Sequence, residues 1–159
     1  MAKDYTSSLN LPKTEFSMKA NLPQREPETL KYWDSIDLYN KMIEVRADGK
    51  VFSFHDGPPF SNGNIHMGHA LNKTIKDFIN KYKAMTGHKI SYVPGWDNHG
   101  MPIESAIIKK NKLNHKAMPI PEFRTACEEF AESYIQRQMA GFKRLGVIGD
   151  WENPYRTMD

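Results

Sequence analysis

Two histidines three residues apart, His66 and His69, follow a glycine- and proline-rich run and precede a long amphipathic segment. This position predicts that both imidazoles lie where a helix begins. Backbone N–H groups at a helix start lack intrahelical partners and carry partial positive charge, so they favour a phosphate. The imidazoles can donate further hydrogen bonds to the same anion. The segment therefore predicts a nucleotide site.

The neighbours of the two histidines strengthen this interpretation, because a His-x-x-His pair alone is a weak signal. Pro58-Pro59 restricts the backbone, and Asn62-Gly63 predicts a sharp turn. Gly68, between the histidines, has no side chain that would obstruct a closely packed base. The combination is a much more specific signal of a nucleotide site than the histidine pair alone.

A strand–helix–strand unit is predicted to hold this motif. Residues 51–54 are β-branched and aromatic, and residues 90–93 form a second short apolar run, so both predict strands. The segment between them predicts a helix that ends at Gly87 and buries one apolar stripe. The stripe consists of Leu71, Ile75, Phe78, Tyr82 and Met85. Such strands are parallel, and ligands bind beyond their carboxyl ends. Residues 57–59 and 94–97 are therefore expected to meet at one site.

The rest of the chain is predicted to be helical behind an irregular arm. Residues 1–26, with two Asn-Leu-Pro repeats, predict an extended arm. Residues 27–159 predict one nucleotide-binding unit, with a helix starting at Pro27 and further helices over 102–112 and 121–144. The last of these is expected to bury Phe123, Cys127, Phe130, Tyr134 and Phe142. The predicted class is α/β, with a parallel sheet and flanking helices.

Composition indicates a globular chain. Of 159 residues, 39% are apolar and 26% charged, and the formal charge is +3, which permits a polyanionic partner without requiring one. No apolar run approaches the ~20 residues that span a bilayer, so we expect no membrane association. No signal peptide is visible, and the single Cys127 suits a reducing compartment, which predicts a cytoplasmic protein.

Several motifs together resemble one family. Residues 59–69 read Pro-x-x-Asn-Gly-x-Ile-His-x-Gly-His, which is similar to the ATP-binding motif of class I aminoacyl-tRNA synthetases. Residues 55–63 and 95–104 resemble the isoleucyl enzymes more than the valyl ones, and so do residues 9–16 and 20–27 of the arm. The resemblance covers nearly the whole chain and implies the first half of a Rossmann-type nucleotide-binding fold.

The resemblance implies ATP-dependent activation of L-isoleucine and transfer of the acyl group to tRNA(Ile). His66 and His69 would stabilise charge developing on the α-phosphate, and Gly68 would accommodate adenine. The implied ATP-binding set is Pro59, Asn62, Gly63, His66, Gly68 and His69. Magnesium would accompany ATP as substrate, and we expect no protein-bound metal in this segment.

The amino acid is expected on the other loop. Asp97 is the candidate partner of the α-ammonium group, with capping of the next turn as its alternative role. Gly57 and Pro58 would form a wall of the side-chain pocket. Trp96 and His99 either line the site or pack in the interior.

One family motif is missing from the sequence. Class I synthetases carry a second ATP motif of the Lys-Met-Ser-Lys-Ser type, and the lysine-rich residues 109–112 do not match it. The editing and anticodon regions have no counterpart here either. The chain therefore resembles the front of a larger synthetase that contacts tRNA mainly through other parts. Half a nucleotide fold would expose apolar surface, so poor solubility or association is expected.

Four alternatives stay open at this point. The chain could be a valyl-type enzyme, a small nucleotidyltransferase with a similar histidine turn, or a module that binds ATP or a partner without completing catalysis. A zinc site from His66, His69, His99 and Cys127 is the fourth, although its spacing matches no familiar cluster.

Overall fold

The computed structural model describes residues 5–9, 15, 18–112 and 114–159. A short 3₁₀ turn at Thr6–Ser8 precedes the main elements, and a second one lies at His115–Ala117. The helices are α1 Leu22–Ser35, α2 Leu38–Val45, α3 Met67–Met85, α4 Met101–Asn111 and α5 Ile120–Arg144. The strands are β1 Val51–Ser53, β2 Lys89–Ser91, β3 Gly95–Trp96 and β4 Tyr155–Arg156.

The predicted strand–helix–strand unit is present. β1 and β2 pair in parallel, with Phe52 opposite Ile90, and α3 connects them. A second parallel pair joins β3 to β4, which the sequence did not indicate because the final segment carries no strand pattern. Because β1 and β2 run parallel, the loops that follow them lie at the same end of the sheet, as predicted.

The N-terminal helices differ from the prediction. α1 begins at Leu22 rather than Pro27, so the last residues of the predicted arm are helical. Pro23 lies in the first turn, where its missing N–H has no intrahelical acceptor to lose. The helix then ends near Ile36, because Asp37 takes a left-handed conformation with φ of 49° before α2. Residues 1–4, 10–14 and 16–17 of the arm lie outside the described residues.

The prediction for the buried face of α3 is wrong. The five stripe residues Leu71, Ile75, Phe78, Tyr82 and Met85 are between 49% and 74% exposed. The buried residues of this helix are Lys73, Asp77, Asn80 and Ala84. The ion pair of Lys73 with Asp56 and the hydrogen bond from the Ile148 N–H to Asp77 tie this polar face to the rest of the chain, and the apolar stripe faces outward among the described residues.

Among the described residues the core consists of three clusters. Ile90, Tyr92, Ala84 and Val147 pack beneath the β1–β2 pair. Ile103 and Ile107 of α4 pack against Phe130 and Ala131 of α5. Trp96 packs with Ile135 and Phe142 of α5.

Helix α5 only partly matches its predicted core face. Phe130 and Phe142 are buried, whereas Phe123, Cys127 and Tyr134 are half-buried at the edge of a cluster. Gly146, with φ of 79°, follows the helix end as expected. Within the described part of the chain, no helix is long and apolar enough to cross a membrane.

Candidate active site

The two histidines stack on each other at the start of α3. His66 is the N-cap residue, and its Nδ1 accepts a hydrogen bond of 3.1 Å from the Gly68 N–H. The N–H of His66 donates in turn to Nδ1 of His69 at 3.3 Å. The ring centroids are 3.8 Å apart with 19° between the planes. Two imidazoles thus replace the usual polar side chains of a capping box.

This capping arrangement decides which ring nitrogen can donate. Because Nδ1 of each histidine accepts a hydrogen bond, the proton of each neutral ring lies on Nε2. Burial lowers the pKa of His69, and the charges of His66 and Lys73 lower it further, so this ring is neutral at pH 7. The pair therefore offers two Nε2–H donors at a positive helix end.

The helix start differs from the sequence expectation in one respect. The N–H of Gly68 is occupied by His66 Nδ1 rather than free for an anion. A Cβ on Gly68 would lie 3.0 Å from Cε1 of His66, so the glycine makes room for that imidazole. Its predicted role beside adenine stays a prediction.

The two loops meet as the topology predicts. The Asp97 N–H donates to the Pro59 carbonyl at 2.9 Å, and the Ser61 N–H donates to the Asp97 carbonyl at 3.0 Å. These bonds form a parallel bridge between Phe60 and Asp97. The proposed phosphate donors and the proposed ammonium partner are thus held on adjoining backbone segments.

The Asp97 carboxylate is half-buried and does not cap a helix. Its Oδ1 accepts a hydrogen bond of 3.2 Å from the Thr157 hydroxyl. α4 starts after Gly100, and no side chain caps it. Among the described residues Asp97 takes part in no ion pair, so its negative charge is available to a cation.

Trp96 lies in the interior and does not line the site. It is fully buried, and its indole N–H donates to Gln138 Oε1 at 2.9 Å. Interior packing is observed for it, and its predicted place beside the amino acid stays a prediction. His99, in contrast, is exposed.

Gln138 is a site residue that sequence reasoning missed. Besides accepting from Trp96, its Nε2 donates to the carbonyls of Phe60 at 3.0 Å and Gly63 at 2.7 Å. A single buried amide on α5 therefore holds both loops. Only its position on the helix face toward Ile135 and Phe142 could have signalled this role, since a glutamine by itself carries no motif.

The remaining predicted residues lie on the surface of the same loops. Gly57 and Asn62 are exposed, while Pro58, Pro59 and Gly63 are half-buried. Asn62 reaches the Pro102 carbonyl at 3.5 Å. A cleft of about 550 Å³ between α1, α2 and the end of α5 contains none of the predicted site residues.

The zinc alternative and the lysine-rich segment find no support. The described residues contain no cluster of three or more histidine, cysteine or carboxylate side chains that could hold a metal ion, so the four residues of the zinc hypothesis do not come together. Lys109 and Lys110 lie at the exposed end of α4, and Lys110 stacks 4.9 Å from the Tyr134 ring.

Comparison with known proteins points to one family. The family model described as tRNA synthetases class I (I, L, M and V) matches residues 28–159. The isoleucine–tRNA ligase of Caldicellulosiruptor bescii is 55% identical over 156 residues, and that of Bacillus subtilis is 54% identical over 155. Each alignment covers 98% of this chain but 17% of the relative, so the chain spans about a sixth of these relatives.

A solved structure shows the same fold. The leucyl enzyme of Agrobacterium radiobacter K84, in a ternary complex with tRNA and LeuAMS, superposes with a TM-score of 0.69 at 20% identity. The superposition covers 89% of this chain and 16% of that one. At this identity the likeness concerns the fold alone.

Proposed function

Since the chain belongs to the class I tRNA synthetases, we propose that it is the N-terminal part of an isoleucine–tRNA ligase. The observation that carries this proposal is the stacked histidine pair at the start of α3, held on a loop that is hydrogen-bonded to the Asp97 segment. The relatives' names favour isoleucine over valine as the substrate. Because the chain covers 17% of those relatives, the activity is proposed for a longer polypeptide.

In the proposed reaction the isoleucine carboxylate attacks the α-phosphate of ATP and pyrophosphate leaves. Negative charge grows on the phosphate oxygens, and the Nε2–H groups of His66 and His69 donate to them. Preorganised donors of this kind cost no reorganisation during the reaction, and removing one typically slows catalysis by about 10²–10³-fold. Asp97 pairs with the α-ammonium group, and Gly57 and Pro58 border the side chain.

ATP is proposed to arrive as its magnesium complex. The described residues contain no group of three or more histidine, cysteine or carboxylate side chains that could hold the ion. The protein groups in this segment orient the phosphate and the amino acid, and positioning with electrostatic stabilisation accounts for most catalysis of phosphoryl-group transfer.

We propose that other parts of the polypeptide complete the enzyme. The outward apolar stripe of α3 supports this, because large contiguous apolar surfaces are typically covered by a partner. Transfer to tRNA(Ile), the lysine motif and a cytoplasmic location belong to the same proposal. Residues 27–159 would then form the first half of the catalytic nucleotide-binding domain, with residues 1–26 as its arm.

The proposal is tested by isoleucine-dependent ATP–pyrophosphate exchange in the complete enzyme. We expect His66→Ala and His69→Ala each to lower kcat by about 10²–10³-fold, as for removal of an oxyanion donor, with a much smaller effect on the KM for isoleucine. Asp97→Asn should instead raise the KM for isoleucine. His88→Ala, at the far end of α3, is the matched control. Unchanged exchange in both histidine variants would refute these roles, and exchange with another amino acid alone would refute the substrate.

A further inference from the structure

A buried carboxylate, Asp56, lies between the two loops of the site. It is 2% exposed, and its Oδ2 accepts a hydrogen bond of 3.0 Å from the Gly95 N–H. Lys76 donates to its Oδ1 at 3.0 Å, and the buried Lys73 donates to Oδ2. One carboxylate thus accepts from two lysines of α3 and from the backbone that begins β3.

The Asp56 carboxylate is charged although it is buried. Burial alone would raise the pKa of Asp56, but the charge and hydrogen bonds of Lys73, the Gly95 N–H and Lys76 hold that pKa below its usual range. Burial lowers the pKa of Lys73, and Asp56 offsets part of this effect. A buried ion of either sign is costly without its partner, so the groups depend on each other.

The partners of Asp56 lie next to each part of the proposed site. Asp56 directly precedes Gly57, which is assigned to the wall of the side-chain pocket. Gly95 lies two residues before Asp97, and Lys73 lies one turn of α3 after His69. A shift of Asp56 would therefore be transmitted to the ammonium partner, the pocket wall and the phosphate donors.

We propose that Asp56 is a positioning residue that sets the distance between Asp97 and the histidine pair. It thereby fixes the isoleucine carboxylate relative to the α-phosphate. This inference rests on the proposed function. The chemical reason is that in-line attack requires reacting atoms about 3–3.5 Å apart, and a displacement of about 1 Å can cost about 100-fold in rate.

A second buried aspartate provides a matched control. Asp77 is 4% exposed, pairs with Lys81 at 2.5 Å and accepts from the Ile148 N–H at 2.9 Å. Asp77 lies on the buried face of α3 that also carries Lys73, and like Asp56 it accepts from a lysine and from a backbone N–H. Its backbone partner, however, belongs to the segment after α5 and not to either loop of the site. Loss of Asp77 should therefore affect stability without displacing the substrates.

The experiment separates positioning from stability with two double variants of the complete enzyme. Asp56→Ala/Lys73→Met and Asp56→Asn/Lys73→Met both remove the buried Asp56–Lys73 pair, so neither leaves the charge of Lys73 buried alone. Both leave the partly exposed Lys76 without its carboxylate partner, so this effect is the same in the two variants. In the asparagine variant a side-chain oxygen can still accept from the Gly95 N–H, whereas the alanine variant has no such oxygen. Thermal midpoints are measured together with kcat and KM for isoleucine and for ATP in pyrophosphate exchange.

We expect the alanine double variant to lose about tenfold to 100-fold in kcat/KM for isoleucine, as for a small misplacement of the reacting groups. The asparagine double variant should recover most of that loss at a similar thermal midpoint. Asp77→Ala should lower the midpoint and leave kcat/KM for isoleucine nearly unchanged. If the alanine double variant does not fold, Asp56→Glu replaces it in the test. This variant keeps the negative charge but moves it by one methylene, so kcat/KM for isoleucine should fall with little change in the thermal midpoint.

Equal kcat/KM in the two double variants, or a loss in Asp77→Ala as large as in the alanine variant, would overturn the positioning role. With Asp56→Glu, unchanged kcat/KM would do the same. If the wild-type enzyme catalyses pyrophosphate exchange only with another amino acid, isoleucine is refuted as the substrate. The kcat/KM values of the variants are then measured with that amino acid instead. A wild-type enzyme without exchange for any amino acid refutes both proposals.

Discussion

Gln138 offers a direct test of how the two loops are held together. Gln138→Met keeps the approximate volume of the side chain and removes all three of its hydrogen bonds. The partners left behind are the Trp96 indole N–H and the carbonyls of Phe60 and Gly63. The indole is fully buried, whereas both carbonyl-bearing residues retain exposed surface.

The size of the destabilisation caused by Gln138→Met follows from this difference in exposure. A buried donor left without an acceptor costs about 1–3 kcal/mol. Each carbonyl that can turn toward water loses only the net value of its bond, about 0.5–1.5 kcal/mol. The loop segments should therefore be destabilised by about 2–6 kcal/mol, which at about 1.4 kcal/mol per factor of ten means roughly 30-fold to 20,000-fold more opening.

Hydrogen exchange measured by mass spectrometry on the complete enzyme reports this opening segment by segment. Peptides covering residues 57–66 and 94–98 should exchange faster in Gln138→Met by that factor. Gln136→Met is the control, because Gln136 is exposed on the same helix and bonds only to Glu132, at 2.8 Å, in the described contacts. Unchanged exchange in both peptides, with the rest of the enzyme folded, would refute the view that Gln138 holds the loops.

Two further predictions concern His69 and the outer face of α3. The folded-state pKa of His69 is lower than the ordinary value of 6.5, so the unfolded chain binds this proton first as pH falls. Stability should therefore be lost as pH falls from about 6.5 through the folded-state pKa, and His69→Gln should weaken this dependence in denaturation midpoints at pH 7.5 and 5.5. Residues 1–159 expressed alone should self-associate through the apolar stripe of α3, and Ile75→Glu/Phe78→Lys should reduce the sedimentation coefficient toward that of a monomer. A clean monomer of the unaltered chain would contradict this second prediction.

The strand–helix–strand order and the meeting of the two loops could be predicted because they depend on local patterns and on one rule of parallel sheets. Short β-branched runs, the Gly-Pro-Pro break and the histidine turn each lie within a few residues of chain. The helix boundaries near Pro27 and Asp37 could not be predicted as well. Prolines suit a first turn at more than one register. Aspartate adopts the left-handed conformation more often than most residues do, but few aspartates adopt it, so the residue type of Asp37 does not by itself mark a helix end.

The buried face of α3 shows why periodicity alone was insufficient. Leu71, Ile75 and Phe78 do share one face, but periodicity does not say which of two faces meets the rest of the chain. Lys73 and Asp77 could become the inner face because each finds an ion partner and Asp77 also finds a backbone N–H. Lys81 lies on α3 itself, but Asp56 and the Ile148 N–H come from other segments, so the helix sequence by itself indicates the opposite face.

The sequence by itself indicated the strand–helix–strand order and the family, and it predicted the residues that could act on a phosphate, because these depend on residue types at short spacing. Tertiary structure alone decided how those residues are held. Asp56 meets Gly95 across 39 positions, and Gln138 meets Trp96 across 42. Such contacts form only when the chain has folded, since an aspartate or glutamine gains its role from the donors and acceptors that packing brings to it.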